Sequence, residues 1–185
     1  MKKRHILLFS QTGTEVLKII EYLNNYNSQY SPYLVLTDNS PYAITPDLEN
    51  YTKYTTKKYV KNVEFLKEVF GNPDDCIITL HGWLNIVPDE ICNIYEMYNG
   101  HPGLITRYPE LKGKDPQKKV WERGNYDTVG CVIHEVTPEV DGGKLISIIE
   151  SVNDSTTFED LIYKLRLLSI DNWCKFLEKK LFKDA

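Results

Sequence analysis

The residues best suited to chemistry lie near the middle of the chain, in the segment Asn99-Gly100-His101-Pro102. The Asn99 amide can donate a hydrogen bond to a carbonyl oxygen that becomes negatively charged, and the His101 imidazole can carry a proton near neutral pH. The segment follows a predicted strand, at the end where parallel sheets meet their ligands. An alternative interpretation is a turn in which Asn99 bonds the local backbone.

A second candidate is a carboxylate that stands directly before two glycines, in Val140-Asp141-Gly142-Gly143. Glycines allow the backbone to approach a ligand closely, and the acid can orient a histidine or assist proton transfer from an attacking amine. The alternative interpretation is a common hairpin turn, because Asp-Gly and Gly-Gly pairs are strong hairpin signals.

The elements that must position these residues alternate between strand and helix. Short apolar runs predict buried strands at residues 5–10, 33–37 and 76–80. Helical spacing predicts a helix capped by Thr14, a second at residues 63–70 and a third that opens at Pro88 and ends near Tyr95. We therefore expect one α/β domain over residues 1–185, with a largely parallel, Rossmann-like sheet flanked by helices.

The remaining segments are less regular. Residues 38–61 lack a clear period and are predicted to be mostly loop, and residues 97–124 form a long connection with a short helix at 116–123. Residues 128–136 and 144–149 are rich in β-branched side chains and predict paired strands at a sheet edge. A Thr156-x-x-Glu159 capping box predicts the start of the last helix.

The composition excludes several classes of partner and location. The net charge is −4, from 26 acidic and 22 basic residues, and no basic stripe offers itself to nucleic acid. No apolar stretch approaches the ~20 residues that span a bilayer. The basic start, Met1 to Arg4, is not followed by a signal-peptide core, so we expect a cytoplasmic protein. Four scattered cysteines predict reduced core thiols.

Four motifs, taken in order, resemble the folate-dependent formyltransferases over about residues 5–150. These motifs are Gly82-Trp-Leu-Asn-Ile-Val87, Asn99-Gly-His-Pro-Gly-Leu104, Gly130-Cys-Val-Ile-His134 and Val140-Asp-Gly-Gly143. The compact length and the glycine in the first loop resemble the glycinamide ribonucleotide transformylase type within that family. The match is specific because the motifs agree in both order and spacing.

The resemblance implies a formyl transfer from 10-formyltetrahydrofolate, without a metal, to the primary amine of a small phosphorylated molecule, with glycinamide ribonucleotide as the expected acceptor. It implies that Asn99 holds the formyl oxygen, that His101 lies beside the tetrahedral intermediate, and that Asp141 assists proton transfer. The oligomeric state stays open, with a homodimer among the possibilities.

The resemblance also implies two binding regions. The folate region lies at residues 80–87 and 136–142, with backbone groups at the pterin edge, and it comprises Leu80, Trp83, Leu84, Ile86, Val87, His134, Val136 and Val140. A structural strand histidine is an equal interpretation of His134. The acceptor region comprises Thr12, Gly13, Thr14, Glu15 and Arg107.

The sequence departs from the transformylase pattern where the acceptor is expected. Glu15 replaces an asparagine beside the substrate phosphate, where a carboxylate repels an anion unless Arg107 or Lys112 compensates. Thr106 replaces a proline, and Gly113-x-x-Pro-Gln117 resembles some sugar N-formyltransferases. A nucleotide-linked amino sugar is therefore an alternative acceptor.

The sequence also bears on three other functions. A metal hydrolase built from His81, His101, His134 and Asp141 lacks ligand spacing within one element. A dinucleotide-dependent oxidoreductase lacks the GxGxxG motif after its first strand. A non-catalytic binding module on the same fold stays open, although the joint presence of the amide, imidazole and carboxylate argues against it.

Overall fold

The computed structural model describes residues 3–55 and 58–183. The first two residues of the basic start, residues 56–57 of the predicted 38–61 loop and the last two residues of the predicted domain lie outside the described residues. Among the described residues, no helix combines the length and apolarity needed to cross a membrane.

The described residues include seven strands, which form a single sheet in the order β3-β2-β1-β4-β5-β6-β7. The strands are β1 (Arg4–Phe9), β2 (Leu34–Thr37), β3 (Thr52–Tyr54), β4 (Cys76–His81), β5 (Met97–His101), β6 (Thr128–Glu135) and β7 (Leu145–Val152). The first five strands pair in parallel, whereas β6 and β7 are antiparallel to their neighbours. The predicted largely parallel α/β fold and the paired edge strands are both confirmed.

Within the part of the chain that the structure describes, five α-helices cover the two faces of the sheet. They are α1 (Thr14–Tyr26), α2 (Val63–Phe70), α3 (Asp89–Ile94), α4 (Pro116–Arg123) and α5 (Phe158–Glu178). Successive strand side chains point to opposite faces. On one face, Leu7 and Phe9 pack with α1 and the second half of α5. On the other face, Ile6 and Leu8 pack with α2 and α3. A third cluster joins β6, α4 and the first half of α5.

Three local predictions were wrong. The N-cap of α1 is Gly13, at φ 76°, and Thr14 is the first helical residue. The capping box of α5 is one residue later than expected, because Thr157 and Asp160 exchange hydrogen bonds of 3.1 Å. Asn99 and His101 belong to β5 itself and do not follow it.

The segment predicted as loop contains regular structure. Short 3₁₀ turns form at Pro41–Ala43, Pro46–Tyr51 and Tyr59–Lys61, and β3 adds a parallel edge strand beside β2. Elements of three to six residues are too short to carry a measurable hydrophobic period. Their formation depends on tertiary contacts, such as the packing of fully buried Leu48 in the core under α1.

Candidate active site

Strand β5 presents both central side chains of the site. Asn99 and His101 are two residues apart, so they project from the same face of the strand. In the antiparallel pairing with β6, Asn99 lies opposite His134. His101 and His134 are buried, and Asn99 is half-buried. The catalytic pair predicted from sequence is therefore held on a regular strand, which positions side chains more precisely than a loop.

Asp141 completes the cluster from the turn that joins β6 to β7. Its backbone has φ 52°, a left-handed conformation that aspartate adopts more readily than most residues. A Cβ at Gly143 would overlap the carbonyl oxygen of Glu135, so the turn requires glycine there. The Asp141 carboxylate lies 3.4 Å from His101 Nδ1 and 3.3 Å from His134 Nε2, and its side chain is only 7% exposed.

The second nitrogen of each imidazole is committed to the backbone. His101 Nε2 is 2.9 Å from the Leu111 carbonyl oxygen, and His134 Nδ1 is 2.8 Å from that of Glu135. Because a carbonyl oxygen only accepts, each of these nitrogens carries the hydrogen. In the neutral rings, the remaining nitrogens therefore turn lone pairs toward Asp141. A proton added to either ring converts that contact into a charge-assisted hydrogen bond.

The electrostatics of the cluster favour an ionised carboxylate. Burial raises the pKa of Asp141, but the hydrogen bond with His134, the charge of His101 and the Gly113 amide outweigh it and bring the pKa to about 2. Burial lowers the pKa of His101, opposed by the charge of Asp141. The site thus holds a negative charge beside an imidazole that gives up its proton readily.

Three groups of this cluster were not assigned to it from sequence. The resemblance implies a place for His134 in the folate region, yet His134 Nε2 also lies 3.2 Å from Asn99 Nδ2, within the cluster. The Gly113 amide donates to Asp141 at 2.8 Å, and the Leu111 carbonyl fixes His101. Only His134 carried a sequence signal, its imidazole in a strand, because backbone groups do not depend on side-chain type.

The residues predicted for the folate region differ in how much of their surface is exposed to solvent. Leu80 and Val87 are buried in the core, and Trp83 and Val136 pack partly against it. In contrast, Leu84, Ile86 and Val140 expose 72%, 59% and 55% of their surface. The loop that carries Leu84 is anchored to the loop after β1, because the Leu84 backbone amide donates a hydrogen bond of 3.1 Å to Ser10 Oγ. Exposed apolar side chains on an anchored loop are suited to cover an aromatic ligand.

The first loop gathers hydroxyl groups at the start of α1. Thr12 Oγ1 lies 3.0 Å from Thr14 Oγ1, which lies 3.1 Å from Thr45 Oγ1. Thr45 was missed from sequence because it comes from the segment predicted as loop. A Cβ at Gly13 would overlap Leu48 and Phe9, so the loop packs directly on the core. Hydroxyls and free amides at a helix start suit an anion.

The carboxylate of Glu15, in the first turn of α1, contacts a histidine and a serine from other elements. Its Oε1 lies 3.3 Å from His81 Nδ1 and accepts a 3.1 Å hydrogen bond from Ser169 on α5. Its side chain is 24% exposed. Arg107 forms a half-exposed ion pair of 3.5 Å with Glu150 on β7. The roles of both residues toward an acceptor stay predictions.

Metal-ligand and thiol chemistry find little support in the described part of the chain. No group of three or more His, Cys, Asp or Glu side chains within residues 3–55 and 58–183 has the geometry to hold a metal ion. The four cysteines are free thiols, and burial raises the pKa of Cys131 and Cys174.

Comparison with protein families gives one match over most of the chain. Residues 3–166 match the model described as formyl transferase. The methionyl-tRNA formyltransferase of Thermotoga maritima is 32% identical over 120 residues, which are 63% of this chain and 36% of that protein. The chain thus matches about a third of the length of this curated relative.

Comparison with solved structures supports the fold. The phosphoribosylglycinamide formyltransferase of Anaplasma phagocytophilum superposes with a TM-score of 0.81 at 20% identity, over 99% of this chain and 89% of that one. The corresponding protein of Bacillus halodurans gives a TM-score of 0.81 at 22% identity, over 99% and 97% of the two chains. At these identities, the likeness establishes a shared architecture.

Proposed function

This chain belongs to the formyl transferase family, and from that premise we propose that it transfers a formyl group from 10-formyltetrahydrofolate to the primary amine of a small phosphorylated molecule. The observation that carries the proposal is the placement of Asp141 between two buried imidazoles, beside Asn99, at the carboxyl end of the parallel strands. We propose residues 1–185 as one catalytic domain.

The chemistry of the cluster suits this reaction. An amine that adds to a formyl carbonyl leaves negative charge on the oxygen and positive charge on the nitrogen. Asn99 Nδ2 has a second hydrogen beyond the one directed at His134, and it donates to that oxygen. His101 Nδ1 receives the amine's proton, and Asp141, ionised at neutral pH, stabilises the resulting imidazolium. The imidazolium stabilises the negative charge on the oxygen, and it returns the proton to the folate nitrogen as the bond from that nitrogen to the formyl carbon breaks.

The formyl donor is proposed to bind between the two loops that flank the cluster, residues 82–87 and 136–142. It supplies the activated carbonyl carbon. Leu84, Ile86 and Val140 expose apolar surface there, whereas Leu80 and Val87 are buried in the core. A pocket lined by apolar side chains, with backbone polar groups at its edge, suits the flat pterin ring, whose edge carries hydrogen-bonding groups.

The acceptor phosphate is proposed to bind at the first loop, where Thr12, Thr14 and Thr45 gather their hydroxyls at the start of α1. The carboxylate of Glu15 is directed toward His81 and Ser169, which weakens the repulsion expected from sequence. These features support an acceptor of the glycinamide ribonucleotide class. The net charge of −4 supports a small acceptor over a transfer RNA.

An acceptor screen tests this function. The protein is incubated with 10-formyltetrahydrofolate and either glycinamide ribonucleotide or a nucleotide-linked 4-amino or 3-amino sugar, and tetrahydrofolate release is followed. Release that depends on glycinamide ribonucleotide, and that is lost in Asp141→Asn, supports the proposal. Release with an amino sugar alone selects the alternative acceptor. No release with any acceptor, while folate still binds, favours a non-catalytic binding module.

Substitution of Glu15 by glutamine separates the two acceptor classes. Glutamine keeps the shape of the side chain and removes its charge. With a phosphate at the first loop, we expect Glu15→Gln to lower the acceptor's KM. With an amino sugar that donates to the carboxylate, the KM rises. Lys18→Gln, on the exposed side of the same helix, is the matched control, and equal KM values in all three proteins would place Glu15 outside the acceptor site.

A further inference from the structure

Gly100 marks a gap on the rear face of the catalytic strand. Asn99 and His101 project from one face of β5, so position 100 faces the other, where α1 and α5 pack. The indole of Trp173, on α5, occupies the place that a side chain would take, because a Cβ at Gly100 would lie 2.5 Å from Trp173 Nε1. Trp173 is fully buried. The backbone between Asn99 and His101 therefore packs directly against the buried indole of Trp173.

His81 holds this ring from the neighbouring strand. It lies opposite Gly100 in the parallel pairing of β4 and β5. Its imidazole centroid is 4.5 Å from the Trp173 ring, with the two planes 51° apart. The side chain of His81 has no exposed surface, so it has little freedom to move away.

A chain of hydrogen bonds fixes His81 in turn. Tyr30 OH lies 2.8 Å from His5 Nδ1, and His5 Nε2 lies 2.9 Å from Thr79 Oγ1. The same hydroxyl lies 2.8 Å from His81 Nε2, and His81 Nδ1 faces Glu15. In this chain each group can donate a hydrogen bond to the next, from Tyr30 OH through to Glu15. The chain then gives His81 one tautomer and one orientation.

We propose that Trp173 is a positioning residue for the formyl transfer: by packing on Gly100, it sets the spacing of the Asn99 amide and the His101 imidazole on the opposite face. The inference rests on the proposed function. An error of about 1 Å in such a spacing costs on the order of a hundredfold in rate. Trp173 reaches no reacting atom itself and acts only through the backbone of β5.

Paired substitutions test the proposal. Gly100→Ala forces the new methyl group against the indole, and we expect kcat to fall tenfold or more while the dissociation constant of the folate changes less than threefold. Trp173→Phe makes room for that methyl group, so the double variant is expected to recover at least threefold over Gly100→Ala. Trp121→Phe, on half-exposed α4, is the control for loss of an indole. Melting temperatures are recorded for every variant.

A second readout does not need turnover. The NMR titration of the His101 imidazole is expected to shift in Gly100→Ala and to return toward the original curve in the double variant. Additive effects on both kcat and titration would overturn the proposal, as would a kcat loss that follows the melting temperature alone. If Gly100→Ala does not fold, Trp173→Phe alone decides, with a fall in kcat expected at unchanged folate binding. Restored titration in a protein without transfer contradicts the proposed function and leaves the positioning role supported.

Discussion

At the scale of single residues, the site is organised around one carboxylate. Asp141 faces two imidazole nitrogens whose rings have already committed their hydrogens to the carbonyls of Leu111 and Glu135. His101 Nδ1 can accept a proton there as an ion pair with Asp141, which is ionised at neutral pH. This arrangement is suited to receive a proton from an amine at the moment of attack.

The first prediction concerns the three catalytic candidates. Asn99→Ala, His101→Ala and Asp141→Asn are each expected to lower kcat about a hundredfold or more, because each removes one part of the charge stabilisation. The combined Asn99→Ala and Asp141→Asn variant is expected to lose less than the product of the single effects. Steady-state tetrahydrofolate release measures this, with exposed Asp154→Asn as the control for a lost carboxylate. Near-normal transfer by the double variant would show that the mechanism is wrong.

At the scale of elements, loops and turns carry the ligand contacts while strands carry the reacting side chains. The 82–87 loop is held by Ser10, and the turn after β6 is shaped by Gly143. In each loop, the ends are thus held by contacts with the rest of the fold, whereas the middle exposes apolar or charged side chains. We expect ligands to contact the exposed middle of each loop, whereas the contacts at the loop ends contribute to the stability of the protein.

The second prediction concerns the folate loop. Leu84→Ala and Ile86→Ala are each expected to weaken folate binding by about 1–2 kcal/mol, or roughly five- to thirtyfold, because the truncation removes apolar surface that the ligand would cover. Calorimetry with 5-formyltetrahydrofolate in the presence of a chelator measures this and tests binding without a metal. Val152→Ala, equally exposed on the edge strand, is expected to bind as the wild type does. If all three variants bound the folate with equal affinity, Leu84 and Ile86 would not belong to the folate site.

The third prediction concerns the turn. Gly143→Ala places a methyl group on the Glu135 carbonyl oxygen, and overpacking of this kind costs about 1–3 kcal/mol. The melting temperature is expected to fall by roughly 2–10 °C, and activity to fall further because Asp141 moves. Gly124→Ala adds its methyl group into open space at φ 63°, so it shows the cost of backbone strain without a steric clash, and it is expected to lower stability but keep activity. A Gly143→Ala protein with normal stability and activity would contradict the proposed role of the turn.

The sequence was sufficient for the long elements and for the side chains of the cluster. Buried strands such as Cys76–His81 show continuous apolar runs, and Asn99, His101 and Asp141 stand in recognisable local motifs. It was not sufficient for β3 or Thr45, because short elements depend on contacts with distant parts of the chain. Nor did it place Leu111 and Gly113, whose backbone groups act regardless of side-chain type.

At the scale of the whole molecule, the sheet carries polar groups through its core as well as apolar ones. All four histidines are buried, and His5 lies near the start of β1. Its partners are Tyr30 and Thr79, with His81 further along the same hydrogen-bonded chain. A neutral imidazole in this place links the stability of the entire fold to pH.

The fourth prediction follows from His5. Burial lowers its pKa to about 3, with a further lowering by His81, whereas the unfolded chain takes up the proton near pH 6.5. The unfolded state therefore binds more protons between these values, so the free energy of unfolding is highest above pH 6.5 and decreases as the pH falls. Denaturant titrations at pH 7.5 and 5.0 measure the loss. His5→Gln is expected to lose less free energy of unfolding between these two pH values than the wild type does. Tyr30→Phe is the control, because it keeps the imidazole and therefore the pH dependence. Equal losses in His5→Gln and the wild type would show that His5 does not cause the pH dependence.

The family match ends at residue 166, yet the core does not. Trp173, Leu177 and Leu181 lie beyond that boundary and are buried against the same face of the sheet as α1. A hybrid enzyme assembled by grafting only the matched segment onto another protein would leave this face bare, including the rear of the catalytic strand. The transplantable unit of this chain therefore extends through the whole of α5 and the turn that follows it, whatever boundary sequence similarity suggests.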